Sequence, residues 1–228
     1  DACWTDYDKD GDLDLLVVGQ WMHPVLLENS KGYFRDRSTE VGFDKYSGWW
    51  NTVQEADLNS DGYTDFVLGN HGLNSRFKGS DHTPLYLFTN DFDGNGTLEH
   101  IYARDVGGKI LPFTLKHEIV AQMPSLKKKY LKYESYNKHT VQDIFTPTQL
   151  KDAHVLTANF LSSSIMLNNG GKKFKIQALP IEAQITPVYS ILADDFDKDG
   201  NTDLLLGGNL YEAKPEAGRY DASYGTFL

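Results

Sequence analysis

Four nine-residue stretches of this sequence place oxygen-bearing side chains at alternating positions, a spacing that suits a hard divalent cation. The first carries Asp6, Asp8, Asp10, Asp12 and Asp14, and the second carries Asp57, Asn59, Asp61, Tyr63 and Asp65. The third carries Asp91, Asp93, Asn95, Thr97 and Glu99, and the fourth Asp195, Asp197, Asp199, Asn201 and Asp203. Calcium takes six to eight oxygen ligands at about 2.3–2.6 Å, and carboxylates or amides at positions one, three and five converge when a chain wraps around it. Glycine at position six (Gly11, Gly62, Gly96, Gly200) permits the sharp turn. The backbone carbonyl of position seven (Asp12, Tyr63, Thr97, Asn201) adds an oxygen, and the acid at position nine (Asp14, Asp65, Glu99, Asp203) can close the shell. Magnesium, which prefers a compact octahedral shell with several waters, suits these loops less well. One such stretch would be ordinary turn chemistry. Four, each ending in an acid, point to Ca2+ in at least two.

The EF-hand shares positions one to nine but needs a bidentate Glu at position twelve and flanking helices. Position twelve here holds Val17, Leu68, Tyr102 and Leu206, all inside apolar runs. These runs read as strands: Leu15–Val18, Phe66–Leu68, Ile101–Ala103 and Leu204–Leu206. Three are continuous apolar stretches, which predicts strands buried on both faces. Between the loops a second element recurs, Leu26–Phe34 and Ile165–Phe174, each a strand, an Asn/Gly turn and a strand opening on an aromatic. The two therefore read as β-hairpins.

The loops begin at residues 6, 57, 91 and 195, an irregular array in which a loop position near Ala158–Ser162 has no acids. The segmentation that follows is propeller-like blades with three calcium loops over 1–115, a helical insertion over 116–153, and blades with one calcium loop over 154–228. Within the insertion Pro124 predicts a helix running through Tyr133, and Thr140 and Thr148 open shorter ones. The fold class is all-β, built of four-stranded antiparallel blades in a partial or small β-propeller. Asp1–Trp4 leads into the first loop by Asp6, and Tyr224–Leu228 reads as a strand cut short, so both ends look like edges of a larger protein.

Composition narrows the function classes. Hydrophobic content of 40% and aromatic content of 13% belong to a folded chain. A net charge of −10, with 32 acidic against 22 basic residues, argues against nucleic acid as a partner. Lys127, Lys128, Lys129 and Lys132 read as a solvated face. No apolar run reaches the length of a membrane span. The single cysteine, Cys3, reads as an inert thiol among strand residues. No nucleophile elbow, phosphate-binding glycine loop or His-x-x-x-His spacing occurs. Trp21, Trp49 and Trp50 read as packing between blades before a sugar-stacking platform, and His71 as a turn histidine before a pocket group.

The four loops with their trailing strands resemble FG-GAP/VCBS repeats of integrin-α-type propellers. Ser47–Asn51, Gly69–Asn74, Gln122–Pro124 and Pro180–Gln184 make the chain similar to the narrower ASPIC/UnbV (cartilage-acidic-protein-like) group. That resemblance implies a propeller holding calcium near one rim. The function expected is a calcium-binding, non-enzymatic scaffold that binds an extracellular protein or glycan, secreted or on the cell envelope. Weak calcium sites fit that setting, because extracellular modules work at dissociation constants of about 10⁻⁴–10⁻³ M. The alternative is a polysaccharide lyase or hydrolase, for which His71, Asn74, Arg76, Asp81 and His82 form the available loop cluster.

Overall fold

The apolar runs behind the Asp-rich loops all become strands, since short stretches of Leu, Val, Ile and Phe closed by a turn have no room for a helix of several turns. The computed structural model describes residues 1–214 and 217–228. It divides into one unit formed by Asp1–Lys78 with Phe160–Leu228, and a second formed by Gly79–Asn159. With 37% strand and 16% helix, the protein is mostly β.

The first unit opens with β1 (Ala2–Thr5), β2 (Asp14–Val17), β3 (Gln20–Met22), β4 (Val25–Ser30), β5 (Tyr33–Asp36) and the short α1 (Ser38–Val41). It continues with β6 (Gly48–Trp49), β7 (Thr52–Ala56) and β8 (Asp65–Gly69). The second unit supplies β9 (Leu85–Asn90), β10 (Glu99–Val106), β11 (Lys109–Pro112), α2 (Lys116–Gln122), α3 (Tyr133–Asn137), α4 (Val141–Ile144), α5 (Pro147–Lys151) and β12 (His154–Ala158). The chain then returns to the first unit for β13 (Ser164–Asn168), β14 (Phe174–Ala178), β15 (Val188–Asp194), β16 (Asp203–Gly208) and β17 (Thr226–Phe227).

Three antiparallel sheets build the first unit, in orders β1-β2-β4-β5, β14-β13-β8-β7 and β15-β16-β17, beside a short β3–β6 pair. The middle sheet explains the most apolar strand. Phe66 and Leu68 join Leu16, Leu26 and Met166 in one cluster, while Val67, on the other face, joins Val188, Ile191, Leu204 and Leu206 in another. β8 is therefore buried along its whole length. β2 and β16 lie in the outer sheets and alternate: Leu204 and Leu206 are buried, whereas Leu205 is 40% exposed. Burial on both faces thus holds for β8 and not for β2 or β16, because only β8 has a sheet on either side.

That middle sheet is drawn from two distant parts of the chain, with residues 79–159 inserted between β8 and β13. The units therefore run differently from the segmentation at 1–115, 116–153 and 154–228. The insertion carries three strands of its own before its helices, and these read in sequence like strands of the surrounding sheets. Its sheet, β11-β10-β9-β12, shares a core with the helices through Phe88, Phe92, Ile101, Ile119, Tyr136 and Phe145. The short gap between the loops at 57 and 91 is explained in the same way: the loop at 91 belongs to the inserted unit.

Within the insertion the helix predicted from Pro124 through Tyr133 is only a 3₁₀ turn over Pro124–Lys127. The chain leaves it to bury Tyr130, whose ring stands edge-on to Tyr136 at 5.3 Å and whose hydroxyl meets His139 Nδ1 at 2.9 Å. Thr140 opens α4 with Asp143 as its reciprocal cap. α5 starts just before the predicted Thr148, with Thr146 as N-cap and Pro147 in the first turn, where a missing N–H is harmless.

Residues 158–162, read as an acid-free loop between blades, are where the chain returns to the first unit. Asn70 Nδ2 donates to Phe160 O at 3.0 Å, and Gln184 brackets Ser163 with bonds of 2.9 and 2.8 Å. A Cβ at Gly48 would collide with Phe160 O, so the close approach requires glycine.

Candidate metal centre

All four Asp-rich stretches fold into the same loop, each joining the first strand of a hairpin to the second. The wiring is internal and repeated. The position-one carboxylate accepts the N–H of the position-six glycine: Asp6 from Gly11 at 3.2 Å, Asp57 from Gly62 at 2.8 Å, Asp91 from Gly96 at 2.8 Å and Asp195 from Gly200 at 3.0 Å. Position three accepts from position five (Asp8, Asn59, Asp93, Asp197), and position five from position seven (Asp10, Asp61, Asn95, Asp199). These are Asx-type turns in series, which curl the backbone and turn side-chain oxygens inward.

The position-nine acid has a role of its own. Asp14, Asp65, Glu99 and Asp203 each accept the N–H of position two, from Tyr7, Leu58, Phe92 and Phe196. Asp14 and Asp65 also accept a second N–H from the next strand, Asn29 at 2.7 Å and Asn168 at 2.6 Å. In those two loops both carboxylate oxygens hold backbone, so position nine acts first as the clamp that closes the loop. Burial pushes the Asp14 carboxyl up to about 6 against the pull of those N–H donors, and it raises Asp65 and Glu99 in the same sense.

Two features escaped the sequence reading. Position four is left-handed in every loop: Lys9 at φ 64°, Ser60 at 59°, Lys198 at 65° and Gly94 at 75°. The glycine at position 94 was the signal available for it. The second feature is the hairpin asparagine. Asn29 Nδ2 donates to Leu13 O and its Oδ1 accepts from Gly32, while Asn168 Nδ2 donates to Thr64 O and its Oδ1 accepts from Gly171. The recurring hairpin is thus the brace of the recurring loop. In the second unit Gln149, on α5, serves the third loop by donating its amide to Phe92 O.

Among the described residues three trios of carboxylates have oxygens within 4.8 Å of one another: Asp6, Asp8 and Asp10; Asp91, Asp93 and Glu99; Asp195, Asp197 and Asp199. Oxygens on opposite sides of one calcium stand about twice 2.4 Å apart, so each trio is narrow enough to share an ion. The second loop gathers no such trio, because Asn59 holds position three and its Nδ2 donates to Asp61 Oδ2 at 3.0 Å. In the first loop Asp6 Oδ1 is buried and has no hydrogen-bond partner. A carboxylate oxygen sealed from water without a donor is costly, and a cation would relieve it. The donors are all hard oxygens, the set that suits calcium rather than zinc or copper.

Loops one, two and four lie side by side in the first unit. Asn168 Nδ2 also donates to Tyr7 O, Lys9 Nζ stands 4.1 Å over the Tyr63 ring, and Thr202 Oγ1 donates to Asp57 O at 3.1 Å. Gly171 packs so closely on Asp8 that a Cβ there would sit 2.9 Å from Asp8 Cα.

The remaining candidates separate. Trp50 is core, 1% exposed, with Nε1 donating to Tyr46 O. Trp21 meets Trp49 with their rings tilted at 59° and centroids 5.2 Å apart, and Trp49 stands edge-on to a buried His71. Asp81 accepts from Asn159 in the second unit, while Asn74 and Arg76 line a pocket in the first. The Cys3 thiol is half-buried and pushed up to about 12 by burial, with Glu55 adding to the shift.

The family model for an FG-GAP-like repeat matches residues 6–68, the span from the first loop to the end of β8. No curated protein matches the chain. An FG-GAP-like repeat suggests a propeller-like scaffold for adhesion or binding. Among the described residues no helix is long and apolar enough to cross a membrane.

Proposed function

We propose that this chain forms blades of a β-propeller whose Asp-rich loops bind Ca2+, making a rigid extracellular scaffold for a protein or glycan partner. On this reading it is not an enzyme, it is secreted or held at the cell envelope, and its closer kin are the ASPIC/UnbV group. The observation that carries the proposal is the Asp6, Asp8 and Asp10 trio with its orphaned Asp6 Oδ1. The FG-GAP-like match over the first two loops supports it, as does the face-to-face packing of three sheets in the first unit.

Asp6, Asp8 and Asp10 would hold the ion in the first loop, Asp91, Asp93 and Glu99 in the third, and Asp195, Asp197 and Asp199 in the fourth. A bound calcium supplies positive charge that cancels the mutual repulsion of these carboxylates. The protein's own part is to fix the oxygens beforehand: the clamp acids Asp14 and Asp65 close two of the loops, and Asn29 and Asn168 tie those clamps to the neighbouring strand.

Thermal melts in millimolar calcium, in chelator and in magnesium test the reading. A cation that binds only the folded state at a hundredfold excess over Kd stabilises by about 2.7 kcal/mol per site. For a chain of this size that is roughly 5–10 °C. Calcium should raise Tm by at least this much over chelator, and magnesium by far less. Identical melts, with no metal recovered from the protein, would return the loops to plain turns.

A further inference from the structure

Buried polar atoms in folded proteins nearly always have a hydrogen-bond partner. In the first unit three that lack one belong to a single aromatic group: Trp49 Nε1, His71 Nε2 and Tyr220 Oη. Their residues are 9%, 8% and 7% exposed. His71 stands edge-on to Trp49 at 4.9 Å and to Tyr220 at 5.0 Å. Burial, with Lys78 adding to it, holds the His71 imidazole down at about 4, so at neutral pH the ring is uncharged and offers one donor and one acceptor.

Of these three residues Tyr220 also lines a pocket of about 400 Å³. The pocket brings Arg76, Lys78 and Arg219 together against one acid, Asp221. In a chain of net charge −10 this is a local reversal of sign. Lys78 Nζ gives one bond to Leu73 O and keeps its other N–H donors. Arg219 is exposed at the pocket's edge.

We propose that this pocket binds a carboxylate on a hydroxyl-rich small molecule, a sugar acid, with Arg219 and Lys78 taking the carboxylate and Tyr220 a hydroxyl. Guanidinium and carboxylate pair through charge-assisted bonds, the strongest polar contacts available here. A tyrosine hydroxyl that is buried without a partner gains the bond it lacks when a ligand hydroxyl arrives. The proposal names the glycan arm of the scaffold reading but does not depend on metal in the loops, so titrations in calcium and in chelator separate the two.

Isothermal titration with galacturonic acid, trigalacturonate and galactose provides the test. Both acids should bind and galactose should not; tighter trisaccharide binding would assign a polysaccharide source, and equal affinity a free sugar acid. Arg219→Gln, at an exposed position, should weaken binding about tenfold. Tyr220→Phe should weaken binding as well, yet raise Tm, because it removes an unsatisfied buried hydroxyl. Absence of binding by both acids at millimolar concentration would overturn the proposal. So would unchanged affinity in Arg219→Gln. A Tyr220→Phe protein that melts higher and binds equally well would reduce the hydroxyl to a packing flaw and overturn its role.

Discussion

The loops at Asp6–Asp14 and Asp195–Asp203 share one template, most of their internal hydrogen bonds and a left-handed lysine at position four, yet they are held differently: Asp195 Oδ1 accepts the N–H of Asp199, a bond that Asp6 Oδ1 lacks. Asp14 is fully buried and accepts from both Tyr7 and Asn29. Asp203 is only partly buried and accepts from Phe196. The difference lies outside the nine residues. β2 pairs with β4, whose end supplies Asn29, whereas β16 pairs with the two-residue β17, which brings no such asparagine. The nine residues encode how the chain wraps, and a residue on the neighbouring strand encodes how firmly it stays wrapped. Under the calcium reading, a loop fixed before binding spends less ordering entropy on the cation.

The sharpest way to break this comparison is to remove a brace. Asn168 is 2% exposed and its side chain makes three bonds, to Tyr7 O, Thr64 O and Gly171 N. Asn168→Ala should cost about 3 kcal/mol, since each buried bond contributes about 1 kcal/mol and two carbonyls lose a donor. Asn29→Ala, whose bonds are exposed, should cost about 1 kcal/mol. Urea melts of the two variants decide it. If Asn29→Ala proves the costlier, burial of the brace is not what matters.

A second test asks whether bracing sharpens affinity. Under the calcium reading, Asp6→Asn should abolish the tighter class of sites and Asp195→Asn the weaker. A gap of about tenfold in Kd corresponds to about 1.4 kcal/mol of ordering that the fourth loop must supply on binding. Calorimetric titration of each variant reads this directly, and equal affinities would detach rigidity from binding.

The parts of this architecture that could be read in the sequence are the parts encoded locally. Alternating acids with Gly11, Gly62, Gly96 and Gly200 announce the loop, and the apolar runs announce its strand. The two hairpins were legible from their Asn/Gly turns. Their purpose was not, because Asn168 meets Asp65 and Tyr7 only after the chain has folded back across more than a hundred residues. The insertion of residues 79–159 into one sheet was hidden for the same reason: β9 to β11 carry the same alternation as any other strand, and pairing partners leave no local mark. The orphaned Tyr220 and His71 were likewise invisible, since a missing partner exists only in three dimensions.

Proton titration offers a smaller test of the same contrast. The Asp14 carboxyl is raised to about 6 by burial, so the folded state holds its proton more tightly than the unfolded chain does. The sign follows: without metal, stability is greatest where Asp14 is protonated and falls as pH rises from about 4 to about 6. Asp65 and Glu99, raised in the same direction, add to the slope. The chelated protein should therefore melt a few degrees higher at pH 5 than at pH 7. Asp14→Asn should flatten that dependence, and a slope unchanged by it would place the responsible acids elsewhere.

The smallest expected effect concerns position four. A non-glycine residue in the left-handed region costs about 1–2 kcal/mol, and Lys9, Ser60 and Lys198 all sit there. Gly94 occupies the same position at φ 75° without that cost. Lys198→Gly should therefore relieve the fourth loop, although glycine's extra freedom in the unfolded chain takes back about 0.4–1 kcal/mol. The net gain should be about 0.5 kcal/mol, visible as a small rise in the urea midpoint. Gly94→Ala should move the third loop the other way by a similar amount, about 0.5 kcal/mol, since the strain it adds is partly offset by the freedom it removes from the unfolded chain. If Lys198→Gly destabilises instead, the lysine side chain contributes more to the fourth loop than its backbone strain removes, and the loop with no asparagine brace is held by contacts of its own.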